Sequence, residues 1–305
     1  MTQIPPIPQA LPAVARGKSK RVAMPWLLGF ALCFAGGALF MAAFGEYVVP
    51  FDPVDSSFMP NMPPPALGDV PSLLLGMLTG SVTENIHWFG TDSSGFDVFS
   101  RVLCAPRIDL SIALAANTLA MAIGIPFGLV AGYFRNPLTE FMMRVSDVLQ
   151  SFPVFISAMI LVALGGQSII NVILALSLLY APIYVRLTRT EVLAQKSRGM
   201  VEASRAIGQS EMMIAIKHIL PNSLGPALVQ SSVTIGFAIL LTAGLSFVGA
   251  GVRPPSPEWG LMISTGANDI VLGQWWTSVF PGIAISLTVF SFAVIGDALE
   301  RRYNR

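Results

Sequence analysis

Six long apolar runs constrain this chain more than any other feature. They cover residues 24–44, 110–134, 148–164, 169–185, 224–252 and 278–295. A bilayer core needs roughly 20 apolar residues of helix to cross it. In lipid a spanning chain must also satisfy its backbone hydrogen bonds internally. The runs therefore predict an all-α integral membrane protein with six transmembrane helices. Only 11% of the 305 residues are charged, against about 25% in a soluble domain, too few to coat a water-facing surface. Arg16, Lys18, Lys20 and Arg21 precede the first run, as in a signal peptide. The run exceeds a typical signal-peptide apolar segment of about 7–15 residues, so it reads as a membrane anchor. Only Gly165-Gly166-Gln167-Ser168 separates the third and fourth runs, which predicts a tight helical hairpin. Pro126, Pro153 and Pro182 fall within or near the ends of spans, where neighbouring helices re-satisfy freed backbone groups.

Loop charges give a direction. With the N-terminus inside, 15 of the 18 basic residues fall in inner segments and only Arg101, Arg107 and Arg253 in outer ones. Leaving out the long loop 46–109, the balance is 15 to 1. The positive-inside rule then places both termini in the cytoplasm. This organisation is a cytoplasmic tail 1–23, a first span 24–44, an extracytoplasmic loop 45–109, and a five-helix core 110–300. The core carries a cytoplasmic loop 186–222, and 301–305 end the chain inside. Trp275 and Trp276 fall at the predicted outer interface, and Trp26 and Tyr133 at inner ones.

The spans hold almost no ionisable residue away from their ends. Such residues mark proton relays, ion pathways and voltage sensors, so their absence disfavours a secondary transporter, the alternative class. It also leaves an intramembrane hydrolase without an acid–base pair. His87 and His218 lie far apart, and Cys33 and Cys104 form no cluster with them, so no metal site is expected. Gly17-Lys18-Ser19 resembles the end of a phosphate-binding loop, but Pro12 occupies the position of its first glycine. No cofactor is expected on this chain, and ATP and magnesium would be bound by partner subunits. Nor is nucleic acid expected as a partner. Gly124, Gly128 and Gly132 repeat every fourth residue, a pattern that lets another helix approach closely. Gln230, Ser231, Ser232 and Thr234 make a polar string in the fifth span. It either lines a wet pathway or hydrogen-bonds between helices.

The loop 186–222 mixes basic and acidic residues. Residues 186–193 continue the fourth span as helix, and 195–199 break it. Residues 201–207 form a short alanine-bearing helix of good propensity, which Gly208 stops in a left-handed cap. Residues 211–220 are helical again, and Pro221-Asn222 turn into the fifth span. The short helix lies across the membrane face, where it either docks into a groove of another protein or rests on headgroups.

The string Glu202-Ala203-Ser204, then Gly208, then His218-Ile219-Leu220-Pro221-Asn222 resembles the EAA loop of ABC importer permeases. Ser204 replaces the usual second alanine. The resemblance implies that Glu202, Ala203, Ser204, Arg205, Gly208, Leu220 and Pro221 couple the chain to a cytoplasmic ATPase. Residues 89–101, with Gly90, Thr91, Asp92, Gly95, Asp97 and Arg101, resemble the segment ahead of the second span in dipeptide/oligopeptide/nickel permeases. Phe96 stands where that family has arginine. Pro257, Glu258 and Trp259 resemble its outer loop before the last span. These outer motifs read either as fixed turns and an interfacial anchor or as direct substrate contacts.

The family resemblance implies the type I importer permease fold and the C-type member of a permease heterodimer in the bacterial cytoplasmic (inner) membrane. It further implies a second permease chain, two ATPase subunits, an extracytoplasmic substrate-binding protein and a peptide-like cargo. The chain itself would not be an enzyme. Gln230, Ser231 and Thr234 are the candidates for pathway lining.

Overall fold

The computed structural model describes residues 25–66, 68–79, 86–134 and 136–303. Arg16, Lys18, Lys20, Arg21, Met24, Arg135 and Arg305 lie outside the described residues. In chain order the helices are α1 (Pro25–Val48), α2 (Val70–Thr79), α3 (Val98–Cys104), α4 (Pro106–Tyr133), α5 (Pro137–Ser151), α6 (Val154–Gly165), α7 (Ile169–Lys196) and α8 (Gly199–Ala206). There follow α9 (Glu211–Met213), a π-helical turn (Ile214–Ile219), α10 (Leu220–Ser223), α11 (Gly225–Phe247), α12 (Trp259–Val271) and α13 (Trp276–Tyr303).

Among the described residues, five stretches are each long and apolar enough to cross a membrane: α1, α3 with α4, α7, α11 and α13. The sixth expected span is α5 and α6 taken together, and the pair is bent by 96°. Pro153 explains the break. It disfavours helix for Phe152 before it, and Phe152 is extended at ψ 146°. The segment 148–164 is therefore not one straight helix. Asn136 and Thr139 form a reciprocal capping box at the start of α5, with Pro137 in its first turn. The expected hairpin is present: Gly166 adopts φ +88°, and Ser168 caps α7 by accepting from the Asn171 amide at 3.2 Å.

The core is a bundle in which α4 packs along the length of α7. The glycine repeat makes this possible. A Cβ at Gly124 would lie 2.6 Å from the Ala181 carbonyl, at Gly128 2.6 Å from the Val185 carbonyl, and at Gly132 2.8 Å from the Val192 side chain. Close packing with α7 is thus the use of this stripe. α11 and α13 complete the bundle, and α1 rests on its flank, burying only Ala31, Ala35, Ala38 and Gly45. α4 runs 28 residues from Pro106 to Tyr133, about 40 Å along the axis. The two motif regions sit at these opposite ends.

Candidate functional site

At the Tyr133 end, chain breaks and caps build a short crosswise helix. α7 stops at Ser197, Arg198 is extended, and α8 begins. Gly208 then turns left-handed at φ +81°. Its amide donates to the Arg205 carbonyl at 2.9 Å, and the Gln209 amide to that of Ser204 at 3.1 Å, so carbonyls that the helix end would leave unpaired are satisfied. Of α8, only Val201 and Ser204 are buried. Val201 enters a small apolar cluster with Leu129 and Tyr133 of α4, Val192 of α7, and Ile214, Ala215 and Ile219 of the π turn. Leu220 packs on that cluster and Pro221 is exposed. Glu202, Ala203, Arg205 and Gly208 are exposed. So α8 is seated by one face and free on the other.

A polar brace ties α8 to the segment after it. Arg205 donates to Glu211 from Nε at 2.8 Å and from a terminal nitrogen at 3.0 Å. The Tyr133 hydroxyl also donates to Glu211. Lys196 donates to the Tyr133 carbonyl at 2.7 Å, with its ammonium 5.0 Å from the ring centre. The Arg205 guanidinium holds the Glu211 carboxyl down at about 2, and the same bond raises Arg205. His218 and Gln209 sit 3.0 Å apart, Nε2 to Oε1. Around this brace the surface is apolar: Met200, Ile207, Met212, Met213 and Ile216 are exposed, Ile207 by 76%. The sequence reading missed the roles of Tyr133, Lys196 and Glu211, because Tyr133 and Glu211 are 78 positions apart and no local pattern joins them. It also read 211–220 as α-helix, where the chain widens into a π turn, a form frequent at functional sites.

At the Pro106 end, the outer motifs form a closed cap. Gly90 adopts φ +72°, and a Cβ there would lie 2.4 Å from the Met62 carbonyl. Thr91 is fully buried; its hydroxyl donates to the Met59 carbonyl at 2.7 Å and accepts from the Met62 amide at 2.8 Å. The Trp276 indole donates to the Thr91 carbonyl at 3.0 Å. Asp92 accepts from the Ser94 and Phe96 amides, both at 2.9 Å, around Gly95 at φ +83°. Burial pushes the Asp92 carboxyl up against those two bonds. Asp97 caps α3 by accepting from the Ser100 amide at 2.7 Å, and its other oxygen meets His87 Nδ1 at 2.8 Å. Arg101 reaches the Pro53 carbonyl at 3.0 Å and that of Ser256 at 3.3 Å, with its guanidinium 4.3 Å from the Phe96 ring centre. The residue that departs from the family pattern is thus a platform for the motif's own arginine.

The two outer motifs meet here. Glu258 is fully buried and caps α12, accepting from the Gly260 amide at 2.9 Å and the Leu261 amide at 2.6 Å. Asp109, also fully buried, accepts from the Trp259 amide at 3.2 Å and faces Glu258. Two carboxylates buried side by side repel when both are charged, and the amides of Trp259, Gly260 and Leu261 point at the pair. The Trp259 indole donates to the Val102 carbonyl at 3.0 Å, and Pro257 is half-buried in the turn before it. α12 itself was not read from the sequence; it is short and carries Ser264, Thr265, Asn268 and Asp269.

Between the ends, the polar string of α11 separates into two kinds of position. Thr234 is buried against Tyr184, whose hydroxyl donates to Asn117 of α4 at 2.5 Å. Ser232 is buried, and Gly296 packs on it. Gln230 and Ser231 are half-exposed; Gln230 bonds Thr234 at 3.3 Å, and Ser231 returns its proton to the Leu228 carbonyl at 2.8 Å. Asn117 and Tyr184 were not singled out by sequence, since each is a lone polar group in an apolar run.

The family described as "Binding-protein-dependent transport system inner membrane component" matches residues 124–305. A glutathione transport system permease protein, GsiD, of Pectobacterium atrosepticum is 38% identical over 217 residues, 71% of this chain and 72% of that one. The dipeptide transport system permease protein DppC of Alkalihalophilus pseudofirmus is 38% identical, covering 70% of each. The probable D,D-dipeptide transport system permease protein DdpC of Escherichia coli K12 is 40% identical over 70% of this chain and 72% of its own. Among solved structures, a chain of the MetNI methionine ABC transporter in inward-facing conformations aligns with a TM-score of 0.54 and 20% identity. It covers 67% of this chain and 97% of that one, a likeness of fold.

Proposed function

Because the chain belongs to the binding-protein-dependent transport system inner membrane component family, we propose that it is the C-type permease subunit of an ATP-driven importer carrying small peptides or related solutes. The cargo class rests on the glutathione, dipeptide and D,D-dipeptide systems in which its relatives are named. In this reading a second permease chain completes the pathway and two cytoplasmic ATPase subunits bind ATP and magnesium. An extracytoplasmic protein delivers the cargo, and this subunit performs no chemistry itself. The 15-to-3 charge balance supports a cytoplasmic (inner) membrane protein with both termini inside. It puts α8 in the cytoplasm and the cap outside.

The observation that carries the reading is the seating of α8. It is held through Val201 on the ends of α4 and α7, while Glu202, Ala203 and an apolar surround remain open. An ATPase gripping the open face moves α8, and the seat passes that motion to two helices that cannot slide freely. Close-packed interfaces switch as rigid bodies rather than deform. The motion then arrives at the cap, some 40 Å away along α4. Gln230 and Ser231 are the pathway-lining candidates; Thr234 acts through the Tyr184–Asn117 contact. The cap residues Gly90, Thr91, Asp92, Gly95, Asp97, Arg101, Pro257, Glu258 and Trp259 hold the outer ends of the helices in register. Gly208→Val tests the coupling. In proteoliposomes with all subunits, ATP hydrolysis is expected to continue while uptake falls about tenfold or more. Uptake and hydrolysis that stay in their wild-type ratio would remove α8 from the coupling role.

A further inference from the structure

We propose that Gln230 is a specificity residue of the pathway, holding its side-chain carbonyl out to a backbone N–H of a peptide cargo. Thr234, Tyr184, Asn117 and Met121 are then positioning residues that fix which end of the Gln230 amide faces outward. This role rests on the reading above, in which Gln230 lines the pathway. Gln230 is half-exposed on α11, about 8 Å along the axis from the helix start at Gly225. A primary amide turned to hydrocarbon would lose its hydrogen bonds with water, so this position suits a wet surface.

A chain of hydrogen bonds leads from Gln230 through α11, α7 and α4, and its far end sets its direction. The Asn117 side-chain nitrogen lies 3.7 Å from the Met121 sulfur. A thioether has no proton to give, so it takes the nitrogen end of Asn117 and leaves the oxygen for Tyr184. The Tyr184 hydroxyl donates its one proton to that oxygen at 2.5 Å. Toward Thr234 it can therefore only accept, and the Thr234 hydroxyl beside it donates. With its own proton committed, Thr234 accepts from the Gln230 side-chain nitrogen at 3.3 Å. Asn117, Tyr184 and Thr234 are buried, which keeps bulk water from reversing the order. A planar amide held nitrogen-first at Thr234 keeps its oxygen on the other side. That oxygen has no hydrogen-bond partner among the described residues, and this chain does not enclose it. Beside it, the Ser231 hydroxyl commits its proton to the Leu228 carbonyl at 2.8 Å and also presents lone pairs. The acceptors are neutral. They suit an amide N–H, whereas an ammonium would give up more hydration than a neutral bond returns.

Methylating the amide nitrogen of a dipeptide removes that donor. The intact importer in proteoliposomes is given its binding protein, equally loaded with alanyl-alanine or with the amide-N-methylated dipeptide, and the transfer rate is measured at saturating binding protein. The ratio of the two rates is the readout, because losses of folding or subunit assembly lower both rates alike. Gln230→Leu is expected to lower the wild-type ratio about two- to tenfold, the contribution of one hydrogen bond. Thr234→Val and Tyr184→Phe should each lower it as well, because the amide is then free to turn, and Thr234→Ser should restore it. Wild-type rates for both dipeptides with Gln230→Leu would take Gln230 off the pathway and remove the reading on which the proposal rests. Equal slowing of both would keep Gln230 on the pathway and overturn the amide preference. A ratio lowered by Gln230→Leu but held by both Thr234→Val and Tyr184→Phe would overturn the positioning role.

Discussion

The two ends of α4 are built in opposite ways. At the Pro106 end the charges are inside: Asp97, Asp109 and Glu258 are fully buried, and Arg101 is 4% exposed. Each meets a defined partner: His87 for Asp97, the Pro53 and Ser256 carbonyls for Arg101, the Trp259 amide for Asp109 and the Leu261 amide for Glu258. At the Tyr133 end the charges of the Arg205–Glu211 pair are exposed, and so are Ile207, Met212 and Met213. Burying a charge is tolerable only when hydrogen bonds replace its water, so the cap is committed to one arrangement. Exposed apolar groups around a small seated helix have the opposite character: they gain stability when something covers them. One end is finished within this chain, and the other keeps apolar surface that the chain does not cover.

Two left-handed glycines should break this comparison most visibly. Gly90 and Gly208 share nearly the same backbone, at φ +72° and +81°. Alanine at either pays for the left-handed conformation, about 1–2 kcal/mol. At Gly208 the added carbon meets nothing within 4 Å, whereas at Gly90 it meets the Met62 carbonyl at 2.4 Å and the Trp276 indole nitrogen at 2.9 Å. Overpacking there adds about 1–3 kcal/mol. Gly90→Ala is therefore expected to lower the unfolding midpoint in detergent well below that of Gly208→Ala. Equal shifts would mean that the cap yields as easily as the loop.

The buried carboxylate pair offers the next contrast. Glu258→Ala strips the Gly260 and Leu261 amides of their acceptor, a loss of about 2–4 kcal/mol. Asp109→Asn should be nearly neutral. Its carbonyl still accepts from the Trp259 amide, and a neutral side chain beside Glu258 removes the repulsion between two carboxylates. Thermal unfolding of both variants decides this; an Asn as damaging as the Glu258 variant would show that the Asp109 carboxylate itself is needed.

What the sequence made legible divides along the same line. α8 and its glycine stop were readable because a short helix and its caps are decided by a few neighbouring residues, whereas the turn expected at Pro221-Asn222 is helix, part of α10, and the break falls at Leu224. The glycine stripe was readable because its period is local, although the helix it meets was not. Bonds from Asp109 to Trp259 and from Trp276 to Thr91 join residues 150 and 185 positions apart, and no local pattern announces them. The bend between α5 and α6 was hidden because hydropathy averages over Pro153. α12 was missed because it is too short and polar for a span, and its start is fixed by Glu258, a cap recognisable only once buried.

The smallest expected effect lies in the brace beneath α8. The Arg205 bond holds Glu211 at about 2, below its ordinary 4.5. A depressed carboxyl stabilises the folded state above its ordinary value, and that contribution is lost as pH falls through the folded one. The brace should therefore be constant from pH 8 down to pH 5 and weaken only in stronger acid. Because both partners are exposed, water and salt screen most of their attraction. Glu211→Gln should thus shift the unfolding midpoint by at most a few degrees, by the same amount at pH 5 and pH 8, and less in high salt. A variant whose shift grows between pH 8 and pH 5 would place another titrating group in the brace. If the same substitution instead lowers uptake at constant hydrolysis while leaving the midpoint alone, the brace serves transmission more than folding. The loop end would then differ from the cap in purpose as well as in construction.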